Sequence, residues 1–350
     1  MANEVDIYES WLLKNYRTAF EKLLEDHSSG QNIYWATDNY MDRGEGFGFF
    51  DPIEIDKIKG DEIIRPRVRK SQDEQTQRVR DKAEVFTPAW ICNAQNNLVD
   101  DAWFGREGVF NRGIEKEEPF EWIDRGEPID FGFVDGKPSK LFEDYVKDRR
   151  LEITCGEAPY LVSRYDAVSG QPIPVRNRIG MLDRKLHVIS ENIHNPEKWL
   201  DWAREAVKSI YGFEWQGDSL LLAREAVLLD VIDHFKEKFP DEPGKQMKKG
   251  AFTSRLNNLA YFISCNLWQM DGLNYVLPGT ADTPYQVDSL FVVGIDEARG
   301  HARDILEELR AGKKPNDRGG IPAIVYDWWY DKGKGETQKQ FFASLVKQNK

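Results

Sequence analysis

A short apolar segment that ends in a carboxylate and leads into a turn or a helix occurs twice in this chain. Residues 151–161 read Leu-Glu-Ile-Thr-Cys-Gly-Glu-Ala-Pro-Tyr-Leu and predict a strand ending at Glu152, followed by a tight turn around Gly156 and then a helix. Residues 210–214 predict a second strand that ends at Glu214 and leads into a long helix. Strands that alternate with helices favour a parallel α/β sheet.

The remaining periodic patterns predict the elements around these two strands. We expect helices at residues 6–26, 179–208 and 295–311. Another helix is expected to begin at Pro88, with Thr87 as its cap. Two more should follow the two strands, one reaching about residue 166 and the other about residue 239. We expect further strands at residues 259–267, 287–294 and 321–329. The segment from Arg178 to Leu186 is expected to form a structural ion-pair cluster without a chemical role.

Composition excludes several classes of protein. Of the 350 residues, 40% are hydrophobic and 31% charged, and no apolar run reaches the ~18 residues that span a bilayer. The acidic N-terminus lacks a signal-peptide apolar core, so we expect a cytoplasmic protein with no membrane contact. The cysteines are far apart and odd in number, which argues against a disulfide framework and against a zinc site; they are Cys92, Cys155 and Cys265.

A formal net charge of −12 bears on nucleic-acid binding. Phosphate contacts supply most of the non-specific affinity of DNA-binding proteins, which therefore present a basic face. The acidic balance argues against a chain that binds DNA unaided. The basic run from Arg65 to Arg80 has two interpretations, a phosphate contact or the solvated flank of a helix, and we favour the flank.

The two predicted strand ends carry residue types that a nucleoside cofactor needs. In open α/β sheets, ligands bind outside the carboxyl ends of the strands, where an acid accepts from the ribose hydroxyls. Glu214 occupies such a position. Gly156 allows the backbone to approach a ligand closely, and Glu152 offers a carboxylate for a cationic amino group.

Three motifs in this order resemble those of DNA adenine-N6 methyltransferases, the M subunits of restriction–modification systems. The first is Phe86-Thr87-Pro88. The second is the glycine turn, which matches the family motif at Glu152, Cys155, Gly156, Tyr160 and Leu161, with Ala158 in place of its last glycine and Glu157 in place of its serine. The third runs from Glu214 into Ala223 and Arg224.

This resemblance implies a fold, a cofactor and a substrate. The fold is α/β, a Rossmann-like methyltransferase sheet with helices on both faces, and the cofactor is S-adenosylmethionine. A mainly helical region at residues 1–80 would precede a methyltransferase-like domain at 81–350, with an insertion at 166–208. A third acid, Asp271, would accept from the adenine amino group of the cofactor; the alternative is an ordinary turn aspartate before Gly272.

The chain lacks the Asn-Pro-Pro-Tyr tetrad with which that family binds the target amino group and stacks on the flipped base. The nearest segment, Tyr326–Tyr330, contains no proline and is interpreted as a strand with an aromatic edge. We therefore expect a hetero-oligomer in which a second methyltransferase subunit carries the tetrad and the target recognition, and double-stranded DNA binds through the complex. Two alternatives stay open: a degenerate methyltransferase-fold subunit with a structural or regulatory role, and a methyltransferase with a non-DNA acceptor.

Overall fold

A computed structural model describes most of the chain. It covers residues 9–60, 63–71, 75–76, 87–113, 122–124, 128–134, 137–281, 320–331 and 338–347, with positions 300, 303–304, 307–308, 311 and 333. Phe86, part of the basic run and the strand predicted at 287–294 lie outside the described residues. Of the helix predicted at 295–311, the described positions 300, 303–304 and 307–308 are helical.

Helices make up the larger share of the described residues. They are α1 (Glu9–Leu24), α2 (Ile55–Ile58), α3 (Ala89–Phe104), α4 (Lys140–Lys147), α5 (Met181–Asn192), α6 (Pro196–Lys208), α7 (Gly217–Lys238), α8 (Lys249–Asn266) and α9 (Phe342–Lys347). The helical predictions for 179–208 and for the segment after the second strand are confirmed. The first of these regions is two helices, because Asn195 and Pro196 start a new one: the Asn195 side chain accepts from the Lys198 N–H at 3.0 Å.

The strands of the described residues are short and fall into four small sheets. They are β1 (Asn111–Arg112), β2 (Ile123–Asp124), β3 (Phe133–Val134), β4 (Lys137–Pro138), β5 (Arg150–Glu152), β6 (Ile210–Glu214), β7 (Leu267–Gln269), β8 (Ile324–Tyr326) and β9 (Lys339–Phe341). Strands β5, β6 and β7 form a parallel sheet in that order, and the other three sheets are antiparallel pairs. The described residues thus combine helices and strands around a three-stranded parallel sheet, as the alternation of elements predicted.

The two faces of the parallel sheet pack against different parts of the chain. Successive side chains of a strand point to opposite faces. Ile210 and Leu267 belong to the main core, which helices α5 to α8 build with α1. Phe213 and Trp268, which are register partners, belong to a second core shared with Val325 of β8. We call β8 and β9 the C-terminal hairpin; it covers the face of the sheet opposite to the helices.

The predicted third strand was placed too early in the chain. Residues 259–266 belong to α8, and the strand comprises Leu267–Gln269. Leu259 and Ile263 are four positions apart and both buried, so they lie on one face of a helix. A short apolar run fits a buried strand and a buried helix equally well, which is why the pattern was misread.

The helix expected after the first strand is also absent from its place. Residues 153–165 form turns instead. The carbonyl oxygens of Tyr160 and Leu161 accept from the N–H groups of Met181 and Leu182 at 2.7 and 2.8 Å, at the start of α5. These carbonyls therefore bond to a distant segment rather than to a helix of their own.

The strand predicted at 321–329 is confirmed for Ile324–Tyr326, but it lies outside the parallel sheet. It pairs antiparallel with β9, with Val325 opposite Gln340. No helix among the described residues combines the length and the apolar character that a membrane span requires.

The guanidinium of Arg224 joins three parts of the fold. Arg224 is completely buried in α7 and donates to the carbonyl oxygen of Leu267 from Nε at 2.9 Å and from Nη2 at 2.7 Å. It also donates to the carbonyl of Ser264 at 3.1 Å and to that of Glu25 at 3.0 Å. The end of α8, the start of β7 and the end of α1 thus bond to one side chain. Burial lowers the pKa of Arg224 to about 10, so it stays charged near neutral pH.

Replacing Arg224 with Met should destabilise the protein strongly. The substitution removes the donor to the carbonyl oxygens of Leu267, Ser264 and Glu25. Each buried unpaired group costs about 1–3 kcal/mol, so we expect the free energy of unfolding to fall by at least about 3 kcal/mol. Urea unfolding measures it. Arg17→Met is the control, because the Arg17 side chain is 67% exposed and, within the described part of the chain, pairs with Glu21 alone. Its cost should stay below about 1 kcal/mol. Equal effects of the two substitutions would contradict the role of Arg224.

Candidate functional site

Acids stand at the carboxyl ends of all three parallel strands. Glu152 is the last residue of β5 and Glu214 the last residue of β6. Asp271 follows the end of β7 by two residues. Because the strands are parallel and adjacent, these three predicted site residues lie along one edge of the sheet. All three are buried, with exposures of 7%, 9% and 7% in chain order.

The Glu152 carboxylate binds the far end of the glycine turn, which comprises residues 153–161. Its two oxygens accept from the backbone N–H groups of Tyr160 and Leu161 at 3.3 and 3.1 Å. Burial raises the pKa of Glu152 to about 8, against the effect of these two hydrogen bonds, and the nearby Glu214 raises it further. Glu152 is therefore mainly protonated at neutral pH.

The Glu214 carboxylate binds the middle of the same turn. One oxygen accepts from the Gly156 N–H at 2.9 Å and the other from the Gln216 N–H at 3.2 Å. Burial raises the pKa of Glu214 above its ordinary value, and the backbone hydrogen bonds act in the opposite direction. Glu152 and Glu214, on two neighbouring strands, thus both accept hydrogen bonds from the same turn.

The glycine turn has an unusual backbone. Thr154, Gly156 and Ala158 have φ angles of 49°, 53° and 62°, in the left-handed region that glycine adopts most readily. Between them, Cys155 is buried against Gly212 of β6, and a Cβ at Gly212 would lie 3.2 Å from the Cys155 sulfur. Burial raises the pKa of the Cys155 thiol well above its ordinary value, so the thiol is neutral and serves as packing.

The segment after Phe86 packs on the glycine turn. The Tyr160 side chain and Thr87 lie within interaction distance, and the Asn96 side chain of α3 donates to the Tyr160 carbonyl at 3.1 Å. Helix α3 begins at Ala89, so Pro88 occupies the N-cap position and makes no side-chain cap hydrogen bond. The prediction that Thr87 is the cap is therefore wrong. The carboxylate of Asp166 performs that role, accepting from the Ala89 N–H at 2.6 Å.

Helix α3 is fixed on α5 by a buried cation. Arg184 of α5 donates to Asp100 at 2.9 Å, to Asn93 at 2.9 Å and to Asn97 at 2.8 Å. All three partners lie on α3, so this network orients the helix that follows the Phe-Thr-Pro motif. The structure therefore brings Thr87 and Pro88 next to the glycine turn, while Phe86 lies outside the described residues.

Asp271 has contacts within its own turn. Its Oδ1 accepts from the N–H groups of Leu273 and Asn274 at 2.8 and 3.2 Å, and its Oδ2 accepts from the Asn274 side chain at 2.6 Å. These are the bonds of an ordinary turn aspartate, the alternative that the sequence left open. They fill both acceptor sites of Oδ1 and leave one on Oδ2, so a role in ligand binding stays a prediction.

One residue beside the acids was missed by the sequence reasoning. Trp215 follows Glu214 directly, and its indole N–H donates to the carbonyl of Ala36 at 3.1 Å. The residue is still 37% exposed, which is unusual for a tryptophan. A partly exposed, anchored ring beside a carboxylate can stack on a planar ligand. Its position next to a strand-end acid was the available signal.

A buried ionic cluster lies at the start of α5. Asp183, Asp230 and His234 have ligand-type atoms within 4.8 Å of one another, the only such group among the described residues. The Arg178 guanidinium already donates to Asp230 at 2.7 Å, and Asp183 accepts from His234 at 3.1 Å. A cation beside the guanidinium would be repelled, so we interpret the group as a structural ion-pair network, in agreement with the expectation for the segment from Arg178 onward.

Comparisons with protein-family models, with curated proteins and with solved structures give no match for this chain.

Substituting Thr154 with Gly should stabilise the protein. A left-handed conformation costs about 1–2 kcal/mol for a residue with a side chain, whereas the added entropy of glycine in the unfolded chain costs about 0.4–1 kcal/mol. Thr154 is exposed, so little packing is lost, and we expect a gain of up to about 1 kcal/mol in urea unfolding. The matched change Ala158→Gly should be close to neutral, because it also removes a buried methyl group worth about 0.8 kcal/mol. A loss of stability in Thr154→Gly would contradict the backbone argument.

Replacing Glu152 with Gln should flatten the pH dependence of stability. The folded state binds the Glu152 proton more tightly than the unfolded chain does, so this stabilisation is complete below pH 4.5 and is lost as the pH rises towards 8. Each pKa unit corresponds to about 1.4 kcal/mol. Urea unfolding across this interval should show a falling free energy of unfolding for the wild type and a shallower slope for Glu152→Gln. The exposed Glu54→Gln is the control, and it should keep the wild-type slope.

Proposed function

We propose that this chain is the S-adenosylmethionine-binding subunit of a DNA adenine-N6 methyltransferase of a restriction–modification system. The observation that carries the proposal is the row of acids Glu152, Glu214 and Asp271 at the ends of three adjacent parallel strands, with the glycine turn folded between the first two. Open α/β sheets bind nucleotide-like ligands at such an edge.

The residues at this edge offer a chemistry that fits the cofactor. A carboxylate oxygen has two acceptor sites, so the backbone N–H that each Glu214 oxygen now accepts leaves capacity for the ribose hydroxyls. A bound cation favours the ionised form of a nearby acid, so Glu152 would become a carboxylate when it binds the cationic amino group. The ring of Trp215 would flank the adenine. When bound, the cofactor supplies an electrophilic methyl group. The glycine turn would orient it, because the left-handed residues point successive N–H groups in different directions.

The proposal places the catalytic tetrad on a second polypeptide. Ligand sites of doubly wound sheets lie where the strand order reverses, with strands on both sides of that point. Among the described residues, β5 pairs only with β6, so the sheet stops at the strand that bears the glycine turn. Leu151 and Ile153 beside this edge are 45% and 66% exposed. A second subunit with Asn-Pro-Pro-Tyr after an apolar strand would continue the sheet here, and it would supply the contacts to double-stranded DNA.

A structural or regulatory subunit is the second candidate function. One observation favours it: all four carboxylate oxygens of Glu152 and Glu214 already accept backbone N–H groups of the chain itself. In such a subunit the acids would stabilise the turn and would have no ligand. It would keep its fold and would show no cofactor-dependent activity with any second chain.

The binding experiment uses equilibrium dialysis of labelled S-adenosylmethionine against the purified chain. We expect binding by the wild type and a loss of about ten- to a hundredfold in affinity for Glu214→Gln, the effect of one lost charge-assisted hydrogen bond of about 1.5–3 kcal/mol. Glu157→Gln is the matched control, since Glu157 is a buried acid of the same turn that hydrogen-bonds Tyr165 and Arg67 and faces no strand end. No binding by the wild type would favour the structural subunit.

The activity experiment measures N6-methyladenine in the DNA of cells that express this chain alone or with the reading frame adjacent to its gene. We expect methylation only when both are expressed, and none when the chain carries Glu214→Gln. Methylation by this chain alone would contradict the division of the enzyme. Binding without methylation in either case would shift the assignment to the structural subunit.

A further inference from the structure

A cavity of about 190 Å³ lies between the parallel sheet and the C-terminal hairpin. Its floor is formed by Leu151, Tyr211 and Trp268, which share the sheet face opposite to the helices. Val325 and Phe342 also line it. The glycine turn and its two acids lie on the helical side of the sheet, so the cavity is separate from the proposed cofactor site.

The size and the lining of the cavity select a ring. A dry apolar cavity of about 150 Å³ accepts benzene, so this one is large enough for a ring of benzene to phenol size. The side chains of Tyr211, Trp268 and Phe342 border it. Aromatic pairs at edge-to-face or offset geometry contribute about 0.5–1.5 kcal/mol beyond the burial of their area.

Arg149, Arg150 and Asp327 are the charged residues of the lining; the Arg150 side chain is buried and paired with Asp100, so Arg149 and Asp327 are the more exposed ones. Arg149 Nη2 lies 2.9 Å from Asp327 Oδ1, and their side chains are 55% and 21% exposed. Asp327 Oδ1 also accepts from the Trp329 N–H at 2.9 Å, and the Arg149 guanidinium lies 5.8 Å from the centre of the Trp329 ring. Both charged groups are thereby oriented at the rim.

This ion pair uses only part of the hydrogen-bonding capacity of its members. Among the described residues, Asp327 Oδ2 accepts no hydrogen bond, and Arg149 donates from Nη2 alone. A guanidinium has five N–H donors in a planar fork that matches a carboxylate. The rim therefore offers donors for an anion and an acceptor for a cation a few ångströms apart.

We infer that the cavity binds a free aromatic α-amino acid. Its ring would enter the cavity that Tyr211, Trp268 and Phe342 border. Its carboxylate would accept from the Arg149 guanidinium, and its ammonium group would donate to Asp327 Oδ2. The charge order on the ligand complements that of the rim, and neither protein charge has to be buried without a partner. This binding is independent of the proposed methyltransferase function.

The experiment is a calorimetric titration of the full chain with L-phenylalanine and two analogues. Phenethylamine lacks the carboxylate and 3-phenylpropionate lacks the amino group, so each should bind at least tenfold more weakly than L-phenylalanine. Arg149→Gln should bind L-phenylalanine and phenethylamine equally, and Asp327→Asn should bind L-phenylalanine and 3-phenylpropionate equally. Arg17→Gln is the control, because Arg17 is an exposed arginine of α1 that does not line the cavity, and this variant should keep wild-type affinity.

A cavity-filling variant tests where the ring lies. Val325→Leu should weaken the binding of L-phenylalanine without lowering the thermal unfolding midpoint. If Val325→Leu does not fold, Leu345→Phe on the rim of the same cavity replaces it. The inference is overturned if the wild type does not bind L-phenylalanine, if all three ligands bind equally, or if filling the cavity leaves the affinity unchanged.

Discussion

The register of three short parallel strands determines on which face of the sheet the glycine turn and the cavity lie. Because side chains alternate between faces, Glu152 and Glu214 share a face with Gly212, whereas Leu151 and Trp268 share the other. The first face receives the glycine turn and the second receives the C-terminal hairpin. A shift of one residue would exchange the faces, moving two carboxylates into an aromatic core. The identity of each site thus follows from one alternation along the strands.

Burial of carboxylates explains why the glycine turn has its shape. A carboxyl group removed from water requires hydrogen-bonding partners, and the nearest donors are backbone N–H groups of the turn. Glu152 and Glu214 bind the turn at its far end and its middle. To present these N–H groups the chain enters the left-handed region three times within five residues, at Thr154, Gly156 and Ala158. The strain of the turn and the burial of the acids are therefore two aspects of one arrangement.

The sequence predicted those elements whose signals are local. Strand β6 combines an apolar run with a terminal acid, and the apolar segment of α7 is too long for a strand, so both were placed correctly. The misplaced third strand shows the limit, because the run from Leu259 fits two periods. The acids at the strand ends could be selected from the sequence, but their pairing with the turn could not, since it depends on backbone conformations that no residue type announces.

Partners distant in sequence were beyond the reach of the pattern. No helix follows β5 because the carbonyl oxygens of Tyr160 and Leu161 accept hydrogen bonds from the start of α5. Strand β8 lies outside the parallel sheet because it pairs with β9. The ion pair of Arg149 and Asp327 joins residues from the start of the sheet and the end of β8. Each of these contacts is chosen by packing, not by propensity, and the same packing leaves the cavity between sheet and hairpin.

Among the described residues the parallel sheet ends at β5, and this edge bears on the proposed function. Successive parallel strands whose connecting helices lie on one face are added to the sheet in one direction. A ligand crevice forms where the next strand is added on the opposite side of the first one, so that the strand order reverses. Glu152 and Glu214 accept hydrogen bonds from N–H groups of the described residues, so these acids need no further strand for their hydrogen bonding. The geometry is therefore compatible with a chain that folds by itself and becomes a complete site only in a complex, which fits a division of cofactor binding and base recognition between two polypeptides.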